Sequence, residues 1–288
     1  MTFDSPRGAD RMGTHDSALP YNPVFARRGG IVELGLKGKV AVVTGGTEGI
    51  GRATALRLAR EGAHVAICAR RQEPLDNAVA ELRKHDPKAL AIAADMSKSA
   101  DIERFMKAVI DRFGRIDILV NNAGTSARGK FAELDDATWS ADLELKVFGA
   151  IRCTRLAVPH MRRQGGGRIV NITISSAKQP GAGSMPTSVS RAAGLAITKA
   201  LSKEYAADNI LVNTVCICKI KSGQHERRFI RQGISADEYY RQASQDIPLG
   251  RVGEAEEVAN VIAFLVSDAA SYVTGTSVHL DGGISGTL

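Results

Sequence analysis

The chain has only four cysteines, one tryptophan and five tyrosines in 288 residues, and it has no long apolar run. Each shortage excludes something. Cys68, Cys153, Cys216 and Cys218 match neither a metal-ligand spacing nor the framework of a disulfide-stapled domain, so they read as small buried side chains and no metal is expected. No segment approaches the roughly 18 apolar residues of a membrane-spanning helix, and the opening MTFDSPRGADRMGTHDSALP lacks the apolar stretch of a secretory leader. No membrane partner and a cytoplasmic address are the expectations. Charge of one sign is in modest surplus, with 38 Lys and Arg against 31 Asp and Glu giving +7. The basic residues are spread out without aromatic interleaving, which argues against a nucleic-acid partner and suits an anionic cofactor or substrate.

What is present is the composition of an ordinary globular protein, 44% hydrophobic and 24% charged. Residues 1–35 carry no hydrophobic period and read as an irregular N-terminal arm, followed by one domain over 36–288. Within that domain short apolar runs at 39–44, 64–68, 89–94, 117–121, 168–174, 210–216 and 276–280 alternate with longer stretches of helical spacing such as 51–61, 99–113, 138–163 and 254–266. Several of the short runs are apolar throughout, as strands covered on both faces must be. The pattern predicts an α/β fold, a doubly wound parallel sheet in a single domain. One segment breaks it. Residues 218–250 are polar and turn-rich and leave a strand end, where open sheets bind ligands, so they are the expected substrate lid.

The first strand runs directly into T44-G-G-T-E-G-I-G51 at the start of a helix. Glycines there let backbone approach a pyrophosphate, whose charge meets free N–H groups at the helix N-terminus, so Gly45, Thr47, Glu48, Gly49, Ile50 and Gly51 are expected to bind a dinucleotide. At the end of the second strand an acid would hydrogen-bond the ribose of NAD, and a base would pair with the 2′-phosphate of NADP. Ala69 stands where the acid would be, and Arg70 and Arg71 follow. NADP is therefore the preferred cofactor, with NAD the alternative, and Glu48 counts against a second phosphate.

The run at 44–51, Asp95 after the third strand, N121-N-A-G124 after the fourth and V273-T-G-T-S-V-H-L-D-G-G283 at the end together resemble the short-chain dehydrogenase/reductase superfamily. The resemblance covers about 37–288. It implies a Rossmann-like sheet of seven strands, hydride transfer between carbonyl and alcohol on a small-molecule substrate, and a homotetramer or homodimer, with the helix at 254–266 and the last strand as its surface. It also implies cofactor contacts from Asp95 and Met96, from Asn122, Ala123 and Gly124, and from Ile220 and Ser222 beyond the sixth strand.

Members of that family transfer protons with Ser, Tyr and Lys, supported by an Asn. Here the register puts Ile174 at the serine, Thr187 at the tyrosine, Arg191 at the lysine and Lys146 at the asparagine. No tyrosine in the chain has a lysine four residues later, so no shifted alignment restores the motif. Tyrosine, with a pKa of about 10, is made a usable acid by a neighbouring ammonium. A simple alcohol lies nearer the value for water, roughly 15.7, and guanidinium stays charged. The candidate catalytic residues are accordingly Lys146, Ser175, Thr187 and Arg191, with Ser176, Tyr239, Tyr240 or water as other proton sources. Three readings stay open: an oxidoreductase with an atypical acid–base site, a catalytically silent nucleotide-binding scaffold or regulator, and a non-redox lyase, isomerase or cyclase acting on an anionic substrate.

Overall fold

Seven short runs of Val, Ile, Leu and Ala form the parallel sheet that the alternation demands: β1 Val40–Thr44, β2 His64–Ala69, β3 Leu90–Ala93, β4 Ile118–Asn121, β5 Gly167–Ile174, β6 Ile210–Ile217 and β7 Ser277–Leu280. The computed structural model describes residues 33–287, so the arm expected at 1–35 falls almost entirely outside the described residues. The strand order is β3-β2-β1-β4-β5-β6-β7, with every neighbouring pair parallel. The fold is thus the seven-stranded Rossmann-like architecture of the sequence reading.

Both faces of the sheet are covered, and the side-chain period of two divides each strand between them. Ala41 and Val43 of β1 join one core with Leu58, Leu75, Val258 and Ile262. Val40 and Val42 join the other with Phe105, Val109, Cys153 and Met161. Helices α1 Gly49–Arg60, α2 Gln72–Leu82 and α9 Ala255–Leu265 supply the first core, and α3 Ser99–Phe113 and α5 Gly149–Arg163 the second. Cys68, Cys153 and Cys216 are buried free thiols.

The long helical segment expected over 138–163 begins as α4 Asp136–Leu143, with the Asp135 side chain accepting from Thr138 N at 2.8 Å as its cap. It then widens into a π-turn at Glu144–Phe148 before continuing as α5. Helix α6 Thr187–Glu204 begins at Thr187, the position of the family's tyrosine in the resemblance. The polar stretch after β6 is not irregular throughout. It folds into α7 Gly223–Gln232, which ends on Gly233 at φ +66°, and α8 Ala236–Ser244, capped by Ser235.

The reversal of strand order lies between β1 and β4, where ligands of open α/β sheets bind. Asn121 ties this seam to its neighbours, donating to Asn171 Oδ1 at 2.9 Å, while Asn171 donates to Thr198 on α6 at 2.9 Å.

Candidate active site and dinucleotide cleft

The glycine-rich loop leaves β1 with Gly45 at φ +69° and Gly49 at φ +55°, and both Gly45 N and Gly46 N donate to Cys68 O at 2.9 and 3.1 Å. A Cβ on Gly51 would overlap the Gly45 carbonyl oxygen, so the first turn of α1 can close on the loop only with glycine there. The opposite lip of the cleft is fastened to this loop. Asn122 Nδ2 donates to Thr44 O at 2.8 Å, and Asn122 N and Ala123 N both donate to Thr44 Oγ1 at 3.0 Å. These contacts leave the α1 N-terminus, with Glu48 as a cap residue making no side-chain cap, facing the cleft.

Arg70 and Arg71 stand exposed at the end of β2, with Arg71 preceding α2. Glu48 does not stand as a bare negative charge beside them. Arg227 of α7 pairs with it through both oxygens, at 2.8 and 3.0 Å, and this pairing, with a smaller contribution from Arg71, holds its carboxyl below the ordinary carboxylate value. The objection to a second phosphate at Glu48 is thereby weakened. Asp95 accepts from Ser97 N and Oγ at 3.0 and 2.8 Å, shaping the turn after β3, and Met96 is buried against Cys68 and Cys153. Ile50 and Ile220 are buried in the core, Ile220 also pairing by backbone with Gly253, while Ser222, at the start of α7, packs on Gly49.

The π-turn brings Lys146 inward. Its side chain is fully buried: it forms an ion pair with Asp142, one turn earlier, and its Nζ donates to Thr187 Oγ1 at 2.8 Å. Ser190 Oγ donates to the other Asp142 oxygen at 2.6 Å. Thr187 Oγ1 also accepts from Ala127 N at 3.0 Å and donates to Ala127 O at 2.7 Å, so its hydroxyl is fully engaged. Burial, reinforced by the nearby Arg191 charge and opposed by Asp142, pulls the Lys146 ammonium down to about 8. Beside Lys146 lies a cavity of about 10 Å³, lined also by Thr44, Asn121 and Cys153, and Asn121 Oδ1 is buried without a hydrogen-bond partner.

Arg191, one turn beyond Thr187 on α6, donates to Ile172 O at 2.6 Å and lies so close to Gly124 that a Cβ there would overlap its guanidinium. Its Nε is shut off from solvent and has no partner, and burial lowers its pKa to about 10. A buried donor left over beside the Asn122–Gly124 lip, a cradle that only glycine fits and two arginines at the end of β2 together suit a dinucleotide.

Lys146, Thr187 and Arg191 therefore meet at one end of α6, with Ile174 at the end of β5. Ser175 does not join them. It donates to Asp281 at 2.9 Å and lies 3.3 Å from His279 Nδ1, because the short 3₁₀ turn after β5 directs it toward the C-terminal strand. Ser176 Oγ is buried without a partner. Tyr239 and Tyr240 belong to an aromatic cluster with His225 and Phe229, Tyr239 meeting His225 Nδ1 at 3.1 Å. Burial raises the Tyr240 phenol, making it a weaker acid. Asp142, Ser190 and Arg227 are the site residues the sequence reading missed. Asp142 was within reach, since D142-L-E-L-K146 is an i,i+4 acid–base pair; nothing local to Glu48 pointed to a partner 179 residues away.

Known proteins share this frame. The chain matches the family described as Enoyl-(Acyl carrier protein) reductase over residues 45–285. It is 35% identical over 254 residues to Dehydrogenase/reductase SDR family member 4 of Homo sapiens, covering 88% of this chain and 90% of that one. L-sorbose reductase from Gluconobacter frateurii, solved with NADPH and L-sorbose, superimposes with a TM-score of 0.85 at 34% identity, covering 89% of this chain and all of that one. An NADPH-bound short chain oxidoreductase from Pseudomonas aeruginosa PAO1, with an atypical catalytic centre, gives 0.81 at 35% identity over 87% of this chain and 98% of its own. From the cofactor loop to the last strand the sequence, the strand order and these matches agree, and the chain belongs to the short-chain dehydrogenase/reductase family.

Proposed function

We propose that the protein is an NADP(H)-dependent reductase of small carbonyl compounds in which Lys146, working through Thr187, replaces the family's tyrosine as proton source. The observation that carries this is the 2.8 Å contact from the Lys146 ammonium to Thr187 Oγ1, at an ammonium whose pKa lies at about 8. An acid is most effective when its pKa lies near the working pH, and Lys146 meets that condition where an unassisted threonine does not. The bound dinucleotide supplies hydride to the carbonyl carbon. The chain's part is then to hold the cofactor by the Gly45–Gly51 loop, Arg70, Arg71, Asn122 and Arg191, and to meet the oxygen as it becomes negative. Arg191 and Lys146, two cations against the single carboxylate of Asp142, give that oxygen a positive surrounding. The oxygen takes a proton from Thr187 Oγ1 as the hydroxyl turns from Ala127 O, and Lys146 Nζ returns one to Thr187. The α7–α8 segment acts as the substrate lid, and Arg128, exposed in the two-residue strand that follows Ala127 and pairs with Met185–Pro186, gives an anionic substrate a partner.

One observation favours a second reading, a silent nucleotide-binding member. Lys146 and Thr187 are buried and Thr187 has each hydrogen bond already made, so its hydroxyl is not left free for a substrate. Loss of general acid–base help costs typically 10²–10⁴ in rate, roughly 3–5 kcal/mol, which slows a reductase without abolishing it. NADPH oxidation by the pure protein against a panel of ketones, aldehydes and keto acids separates the two. Wild-type turnover that Lys146→Met slows by about 10²–10⁴, with NADPH binding kept, supports the reductase; no wild-type turnover at high enzyme concentration, with NADPH binding intact, supports the silent member. A dimer or tetramer is proposed to form through α9, where Phe264 is exposed, and gel filtration tests it.

A further inference from the structure

The phosphate-binding loop and the end of β2 are one surface, because Gly45 N and Gly46 N both donate to Cys68 O, two residues before Arg70. Glu48 protrudes from this loop. A bare carboxylate there repels a 2′-phosphate held by Arg70 and Arg71, so selection for NADP needs its charge cancelled. The cancelling group comes from the lid: Arg227 grips Glu48 through both guanidinium NH groups, and the α7 N-terminus is seated around this contact by Ser222 on Gly49 and by Gln224 Nε2 donating to Gly124 O at 3.2 Å. A side chain on Gly223 would overlap Glu48, so the close approach of α7 to the loop is built in at that position.

We infer that Arg227 is a specificity-determining residue, and that the protein discriminates NADP from NAD through the Glu48–Arg227 pair only while α7 lies on the cofactor loop. The inference rests on the reading that the cleft binds a dinucleotide. The pair is exposed and of little worth to stability, but its effect on selectivity does not depend on that worth. With α7 lifted off the loop, Arg227 would no longer cancel Glu48, and the carboxylate would oppose a 2′-phosphate held by Arg70 and Arg71.

Fluorescence titration of the full chain with NADPH and with NADH tests this by the ratio of the two dissociation constants, without any turnover. Arg227→Ala should lower the preference for NADPH by about tenfold, the scale of one charged contact. Glu48→Gln added to Arg227→Ala should restore most of it, because the carboxylate that Arg227 cancels is then gone. An unchanged ratio in Arg227→Ala, equal weakening of both dinucleotides, or no recovery in the double variant would overturn the inference while leaving the nucleotide site standing. Binding of neither dinucleotide by the wild-type chain would overturn the site and the inference together.

Discussion

Replacing Lys146 by methionine removes a buried ammonium while keeping the length of the side chain. In the native protein that ammonium is fully enclosed and its charge is met by Asp142, which is itself enclosed and accepts one further hydrogen bond from Ser190. Methionine leaves the Asp142 carboxylate buried with a hydroxyl as its remaining partner. Breaking a buried pair by removing one member typically costs about 3–5 kcal/mol, because the surviving charge keeps its desolvation penalty without its counterion. For a domain of this size about 1 kcal/mol moves the midpoint by roughly 2–4 °C, so Lys146→Met should melt roughly 6–20 °C below the wild type. Adding Asp142→Asn removes the stranded charge, keeps an acceptor for Ser190 and should recover more than half of the loss. Circular dichroism melts at pH 7 on the three proteins decide the matter. A fall of less than about 2 °C in the single variant, or no recovery in the double, would refute the buried pair and with it the proposed proton source.

Reduction should slow as pH rises through about 8, because only protonated Lys146 can return a proton to Thr187; a flat kcat profile from pH 7 to 9.5 would remove Lys146 from that role. The same group affects stability with the opposite slope: its native pKa lies below the 10.5 of a free lysine, the unfolded chain holds the extra proton between about 8 and 10.5, and its contribution to stability rises with pH over that window, as urea titrations at pH 7.5 and 9.5 would register. Gly124→Ala should push Arg191 from its seat and weaken NADPH binding by about tenfold or more, read by fluorescence titration, since the new methyl overlaps the guanidinium. Rebuilding the family's own residues with Ile174→Ser, Thr187→Tyr, Arg191→Lys and Lys146→Asn should raise turnover by about 10²–10⁴ if the present site lacks an efficient acid; turnover unchanged or lower would mean that the substituted site is already adequate.

The sheet was legible because a buried parallel strand leaves a simple trace. Runs at 39–44 and 210–216 became Val40–Thr44 and Ile210–Ile217, each shifted by no more than a residue at either end. The helix over 138–163 was legible as a length and illegible as a shape. The π-turn at 144–148, which aims Lys146 inward, inserts no glycine or proline to betray it, and depends on how α4 and α6 pack. Ser175 shows a different limit. Position along β5 put it beside the reactive end of the sheet, yet a single turn of 3₁₀ helix sent its hydroxyl to Asp281, 106 residues away. Residues 218–250 were legible as polar and turn-rich, but α7 within them is held by contacts to Glu48 and Gly124 that no local pattern encodes.

On the proposal above, Lys146 and Thr187 act as one unit rather than as two separate substitutions. Threonine at 187 is a short side chain where the family has a ring, and the lysine at 146 reaches from a neighbouring helix to bond its hydroxyl. That lysine could not be buried alone, since an unpaired ammonium in this interior is far costlier than any contact it makes. Asp142 and Ser190 supply the pairing, on the same faces of the same two helices. A chain that simply lost its tyrosine would have no reason to acquire a buried cation four residues from a buried acid and in contact with residue 187. On the proposal that Lys146 is the proton source, this network is what a different ionisable group needs in order to be buried beside residue 187, and Arg191, bonded to Ile172 O and lying against Gly124, belongs to the cofactor side of that proposed site.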